Sequence, residues 1–365
     1  MGFEMSLAKT SSASRDVPPV PEKRAVQLLL AFAKPDPVRS IWQLASTSVA
    51  FVFLWWAALR ALDYSYLLAL PVAFAAAFMV MRLFIVQHDC GHGAFFRSRV
   101  ANGAVGGVLG VLTLTPYRYW SRQHALHHAG SGNLDERGFG DITTLTVREY
   151  LALGWWRRLA YRLYRHPVVL LGIGPAYMFF VKHRFPFDVP FKKWRREWES
   201  VMLTNVAIAV TVLVMAWVVG LDRFLLVQLP ISLFAASIGI GLFYVQHQFE
   251  DAYWEGDGKW SYEAAGLHGS SYLHLPLFLH WCTGNIGYHH LHHLCPRIPN
   301  YRLRRCFEAL PELAPTTRLT MWDGVRCLKL RFWDEESGRL IGFRELRQLR
   351  ARAVAPSQVR ATTGA

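Results

Sequence analysis

The chain alternates between long apolar runs and polar, mostly basic stretches. The runs cover residues 41–61, 67–87, 200–220 and 224–245 and carry almost no charge. At ~1.5 Å rise per residue, a helix of roughly 21 residues spans about 30 Å, the thickness of a bilayer's hydrocarbon core. Each run is therefore predicted to be a transmembrane helix. Arg82, near the end of the second run, is close enough to the boundary for its charge to snorkel into the headgroups. The runs come in two pairs, joined by short turns at residues 62–66 and 221–223. The predicted fold is all-α and integral to the membrane: four transmembrane helices as two hairpins under a helical cytoplasmic cap. Apart from the paired hairpins, no internal repeat is evident.

Composition supports this reading. Of 365 residues, 52% are hydrophobic and 14% aromatic, which is unusual for a water-soluble chain of this length. The formal net charge is +14. The positive residues are concentrated between the hairpins, roughly 87–199, and in the tail after His247. Basic loops mark the cytoplasmic side, so both termini and the middle segment are expected there. Residues 155–165 interleave Trp155, Leu159 and Leu163 with Arg158, Arg162 and Arg165. They read as an amphipathic helix lying on the membrane, its arginines on the polar face. The basic surface also suits an acidic redox partner. Nucleic acid is not expected, because the charges follow the membrane topology. Residues 1–22 and 348–365 read as disordered tails around one domain at 23–347. The first 20 residues lack the apolar core of a signal peptide. The five cysteines show no paired spacing and are expected as reduced thiols.

Eight of the 15 histidines fall in three clusters. His88 and His92 form HxxxH; His124, His127 and His128 form HxxHH; His289, His292 and His293 form a second HxxHH. Residues at i, i+3 and i+4 share a helix face, so each cluster can aim its imidazoles at one point. The topology puts all three clusters on one side of the membrane, as a shared site requires. Eight imidazoles exceed the four ligands of a tetrahedral zinc and suit two metal ions. An all-nitrogen site with open positions points to iron and oxygen chemistry, although imidazole also serves zinc and copper. Cys90 and His290 point off the ligand faces. Asp89, Asp135 and Asp141 are candidates to accept hydrogen bonds from outer imidazole nitrogens, and Asn285 is a candidate for an outer role near His289. His166, His183, His268, His274 and His280 read as structural.

These motifs resemble the membrane-bound fatty acid desaturases, close to the bacterial acyl-lipid branch, within a di-iron superfamily that includes alkane hydroxylases and carotenoid ketolases. The resemblance rests on HDCGHGAFF at 88–96, RQHALHHAGSGNLD at 122–135, LFYVQHQFEDAYW at 242–254 and GNIGYHHLHHLCPRIPNY at 284–301. It implies two irons held by the three boxes, with His247 as a further ligand, and O2 as co-substrate. It implies desaturation of fatty acyl chains mid-chain, at an active site on the cytoplasmic face of a bacterial inner membrane. Phe95, Phe96, Trp120 and Tyr288, near the boxes, are candidates to line the acyl channel. Some relatives carry a fused cytochrome b5 domain with an HPGG motif. Here His166-Pro167 is followed by Val168-Val169, so electrons are expected from a separate donor, a ferredoxin or similar carrier.

Two other classes compete. A sister di-iron oxygenase, a hydroxylase or a decarboxylase making terminal alkenes, would share the boxes. A membrane metal transporter would place polar groups near the bilayer midplane, where these runs have almost none. A hydrolase would need a nucleophile such as the serine of G-x-S-x-G, which is not paired with these histidines.

Overall fold

The computed structural model describes residues 22–138, 140–313 and 317–354. Four of its helices are long and apolar enough to cross a membrane: Pro37–Ala61, Tyr66–Gly91, Arg195–Val219 and Leu221–His247. The first starts at Asp36, whose carboxylate accepts from the Val38 and Arg39 amides, with Pro37 pre-shaped for the first turn. The second is the central helix. Its Ala69, Ala73, Ala76 and Ala77 are buried, and these small side chains let neighbouring helices approach closely. Ala58 and Leu59 of the first helix and Val227, Ile231 and Ala235 of the fourth pack against this stripe. The outer faces of the first and third helices remain apolar and exposed, at Trp42, Phe53, Leu213 and Trp217 for example, as helices in lipid require. Only Gly220 separates the third helix from the fourth, with φ +89°, so residues 221–223 are helical rather than a turn. Arg223 reaches Asp63 at 2.6 Å and Arg60 reaches it at 2.8 Å, which ties the two connections together.

Three features depart from the sequence reading. Arg82 does not snorkel: it is buried, its Nε donates to Thr47 Oγ1 at 3.2 Å, and its guanidinium donates to the Trp281 carbonyl and lies 4.3 Å from the Trp281 ring centroid. Local acceptors and a π face replace the water it would otherwise seek. The segment between the hairpins contains an apolar helix, Arg99–Leu112, followed after a 102° bend by Tyr117–Gly130. Glycine makes the bend possible, since a Cβ at Gly106 would stand 2.3 Å from the Tyr117 ring. The cap is also not purely helical. Leu145–Thr146 pairs in parallel with Leu330–Asp334, which pairs antiparallel with Arg339–Gly342. Tyr272–Leu273 pairs in parallel with Arg318–Leu319.

Helix Trp155–Tyr164 forms where expected, with Trp155, Trp156 and Leu163 exposed. Arg157 and Arg162 stay exposed, as an amphipathic helix predicts, but two of its arginines also bond to the protein. Arg162 Nε donates to Tyr150 Oη at 2.8 Å, and Arg158 donates to the Leu151 carbonyl at 2.5 Å. Arg165, just past the helix, is fully buried and donates to the Thr143 carbonyl, Tyr244 Oη and Gln248 Oε1. Helix Phe343–Val354 covers residues 348–354, which the sequence reading placed in a tail. Residues 1–21 and 355–365 lie outside the described residues. All five cysteines are buried free thiols.

Candidate metal centre

Four helices deliver nine histidines to one place. His88 lies in the last turn of Tyr66–Gly91, and His92 caps that helix's C-terminus. His124, His127 and His128 come from Tyr117–Gly130. His247 ends the fourth long helix. His289, His292 and His293 come from the short helix His289–Leu294, every residue of which is buried. So short a helix is marginal in isolation. It is held by the apolar cluster around it, which includes Tyr272, Tyr288, Leu291, Leu294 and Leu303.

The imidazoles sort into two groups. His88, His92, His124, His128 and His292 each place one nitrogen within 4.8 Å of all the others; so do His127, His247 and His293. His289 adjoins the second group, with its Nε2 2.9 Å from His247 Nε2. Within the first, His128 Nε2 is 3.1 Å from His124 Nε2 and 3.0 Å from His292 Nε2. The groups touch where the His128 and His293 rings stack, with centroids 4.1 Å apart.

Three of the outer nitrogens face fixed partners. His88 Nδ1 meets Asp89 Oδ1 at 3.0 Å, His127 Nδ1 meets Asp141 Oδ1, and His247 Nδ1 meets the Gly269 carbonyl at 3.3 Å. A partner on the outer nitrogen fixes the tautomer and turns the Nε2 lone pair inward. Asp135 does not take part; it accepts from the Asp257 amide at 2.9 Å. Asn285 donates to the Asn300 carbonyl at 3.3 Å.

These residues suit a metal on two counts. Burial, reinforced by neighbouring imidazoles, holds His289, His292 and His293 well below their ordinary protonation range, so they are neutral donors. Nε2 of His92 and of His293 is also buried without a hydrogen-bond partner. Such an orphan costs about 1–3 kcal/mol, and a cation would satisfy it. Neutral nitrogens 2.9–3.3 Å apart can share only one hydrogen per pair, so the convergence is favourable around positive charge.

The remaining residues singled out in the sequence have defined neighbours. Trp120, a candidate for the acyl channel, stacks on His124 with centroids 4.5 Å apart and an interplanar angle of 16°. Phe95 is fully buried in a cluster with Leu83, Val86 and Leu109 that Phe96 packs against. Tyr288 stacks on His280 and Tyr272. His290 turns away toward Phe307. His274 Nδ1 meets Tyr272 Oη at 3.0 Å, and His183 Nδ1 faces the Leu114 carbonyl. The sequence reading missed Phe243, which lies 5.0 Å from the His127 ring and 4.9 Å from that of His247. Its signal was available, since it sits four residues before His247 on the same helix. A narrow crevice lined by Asp141, Ile142, Phe243, His247 and Trp254 runs beside the second group.

The sequence profile of the fatty acid desaturase family matches residues 64–325. A fatty acid desaturase of Bacillus subtilis is 44% identical over 330 residues, covering 90% of this chain and 92% of its own. The sn-1 oleoyl-lipid 12-desaturase of Anabaena variabilis is 26% identical over 286 residues, 75% of this chain and 77% of its own. The sn-1 acyl-lipid omega-3 desaturase (ferredoxin) of Synechocystis is 28% identical over 243 residues, 63% of this chain and 64% of its own.

Proposed function

The chain belongs to the fatty acid desaturase family, and from that premise we propose that it introduces a double bond mid-chain into fatty acyl lipids at a di-iron centre, using O2. The observation that carries this is the pair of adjoining imidazole groups. His88, His92, His124, His128 and His292 would hold one iron, and His127, His247, His289 and His293 the other. When bound and reduced, the irons supply the O2-derived oxidant that an unactivated methylene requires and that no side chain provides.

The protein's own residues supply geometry. Asp89, Asp141 and the Gly269 carbonyl hold three imidazoles in one tautomer. Trp120 and Phe243 wall the imidazoles with apolar surface, which limits access of water to the cluster. Regioselectivity then depends on how the acyl chain is held, since hydrogens leave only the two carbons that reach the centre. Electrons come from a separate carrier, a ferredoxin or similar protein; the name of the Synechocystis relative gives this choice some support. The domain proposed at 23–347 extends through helix Phe343–Val354, and the centre and both termini face the cytoplasm of a bacterial inner membrane, a reading that rests on the basic middle segment.

The test is fatty-acid analysis by gas chromatography–mass spectrometry of a bacterial host expressing the chain, with His127→Ala as control. A new unsaturated acid in the wild type alone is expected. A hydroxylated acid or a terminal alkene would move the chain to a sister reaction. His127→Ala with full activity and normal metal content would sink the di-iron assignment.

A further inference from the structure

Away from the histidines, an open groove is lined by Arg99, Arg118, Arg122, Arg196 and Glu197. Among the described residues, Arg99, Arg118 and Arg196 make no ion pair, and all three are exposed. Arg122 is held in place: it donates to the Lys193 carbonyl at 3.0 Å, pairs with Glu197 at 3.2 Å and lies 3.9 Å from the Trp194 ring centroid. Glu197 is the one carboxylate lining the groove.

The backbone adds positive potential. Arg99 begins helix Arg99–Leu112, Arg118 is second in Tyr117–Gly130, and Arg196 is second in Arg195–Val219. Three helix N-termini therefore open toward the groove. Each carries a partial positive charge, where acidic residues are the stabilising choice. The first two have no acidic residue in the first turn, and the last two have no side-chain cap. Cations placed at three positive helix ends weaken the fold unless an anion compensates them.

We propose that this groove holds the phosphodiester of the acyl-lipid substrate. The proposal rests on the desaturase reading and names the carrier of the acyl chain. Depth favours a lipid over a soluble anion. Arg196 stands at the start of a membrane-crossing helix, and Leu203 and Val206 further along it are exposed and apolar. The arginines thus lie at headgroup level with hydrocarbon-compatible surface beyond them. Guanidinium groups bind phosphate oxygens in pairs, which gives orientation as well as affinity. One wall of the groove is the helix that carries His124, His127 and His128. Fixing the headgroup there would set the depth at which the acyl chain meets the metals.

The test is equilibrium binding of phosphatidylglycerol, diluted in neutral detergent micelles, against diacylglycerol with the same acyl chains. Wild type is expected to bind phosphatidylglycerol about tenfold tighter or more, as one charge-assisted pair would give. Arg118→Gln/Arg196→Gln should lose that preference, with a circular dichroism spectrum like wild type and a melting temperature no lower. Two results overturn the proposal: no preference in wild type, or a preference unchanged in the variant. If the variant keeps its preference but loses turnover with a protein donor, and a chemical reductant restores it, the groove docks the electron carrier instead. The desaturase reading is judged separately by the wild-type product profile. An unsaturated product without headgroup preference sinks the groove alone.

Discussion

Asp89 and Asn300 lie 211 positions apart, yet one carboxylate oxygen of Asp89 accepts from both the backbone amide of Asn300, at 2.6 Å, and its side-chain amide, at 2.9 Å. The other oxygen faces His88 Nδ1. Asn300 Oδ1 in turn accepts from Gln43 of the first long helix. The first histidine box is thereby tied to the chain just after the third, and all of these groups are buried.

Breaking that tie should loosen the metal before it unfolds the protein. Asp89→Ala removes the outer partner of His88 and leaves two Asn300 donors unmet. Metal affinity should fall by about 10–100-fold, the usual effect of losing such a partner. Asn300→Ala should do less, because its backbone amide still reaches Asp89. Chelator competition on the purified variants measures both, and an unchanged affinity in Asp89→Ala would remove the positioning role.

His247 belongs to the second imidazole group only, so its loss should affect the two ions unequally. His247→Ala should keep the ion held by His88, His92, His124, His128 and His292 and lose the other, halving the metal per chain. His274→Ala, which removes contacts with Tyr272, should leave metal content unchanged. Elemental analysis distinguishes these outcomes, and full metal in His247→Ala would exclude it as a ligand.

The histidine boxes were legible because helical spacing is a strict geometric code, and the long helices because uninterrupted apolar length has one physical meaning. Helix Arg99–Leu112 was not. Its 14 residues fall short of a span, and Gly103, Gly106, Gly107 and Gly110 argue against a helix until the Tyr117 ring packs over Gly106 and the Thr115–Tyr117 backbone closes on Gly110. The hairpin strands were hidden because Phe332, Trp333 and Leu340 acquire their burial only from distant partners such as Tyr150. Arg165 was assigned to water because a helical wheel assigns every arginine to water. What overturned that assignment was a set of acceptors from Thr143, Tyr244, Gln248 and Leu330, which no local pattern could foresee.

Arg165 should accordingly behave as a core residue. Arg165→Leu strands several buried acceptors, each at about 1–3 kcal/mol. The melting temperature should drop by roughly 5–10 °C. Arg165→Lys should restore only part of this, since a single ammonium cannot span the fork of partners. A melting temperature within about a degree of wild type in Arg165→Leu would mean that the network adds little net stability.

Gly284 joins backbone conformation to the metal centre. Its φ is +56°, where a side chain costs about 1–2 kcal/mol. A Cβ there would also stand 2.7 Å from Ile85 Cγ2. Ile85 lies one turn before His88 on the same helix, so relief of that clash must move the helix end that carries the first box. Gly338 separates the two effects, because its φ is +63° but a Cβ there meets nothing within 4 Å. Gly284→Ala should therefore lower both melting temperature and metal occupancy, whereas Gly338→Ala should lower melting temperature alone. Adding Ile85→Ala to Gly284→Ala removes Cγ2 and should recover part of the metal occupancy while the backbone strain remains. If Gly284→Ala matched Gly338→Ala in metal content, contact with Ile85 would not be transmitted to His88.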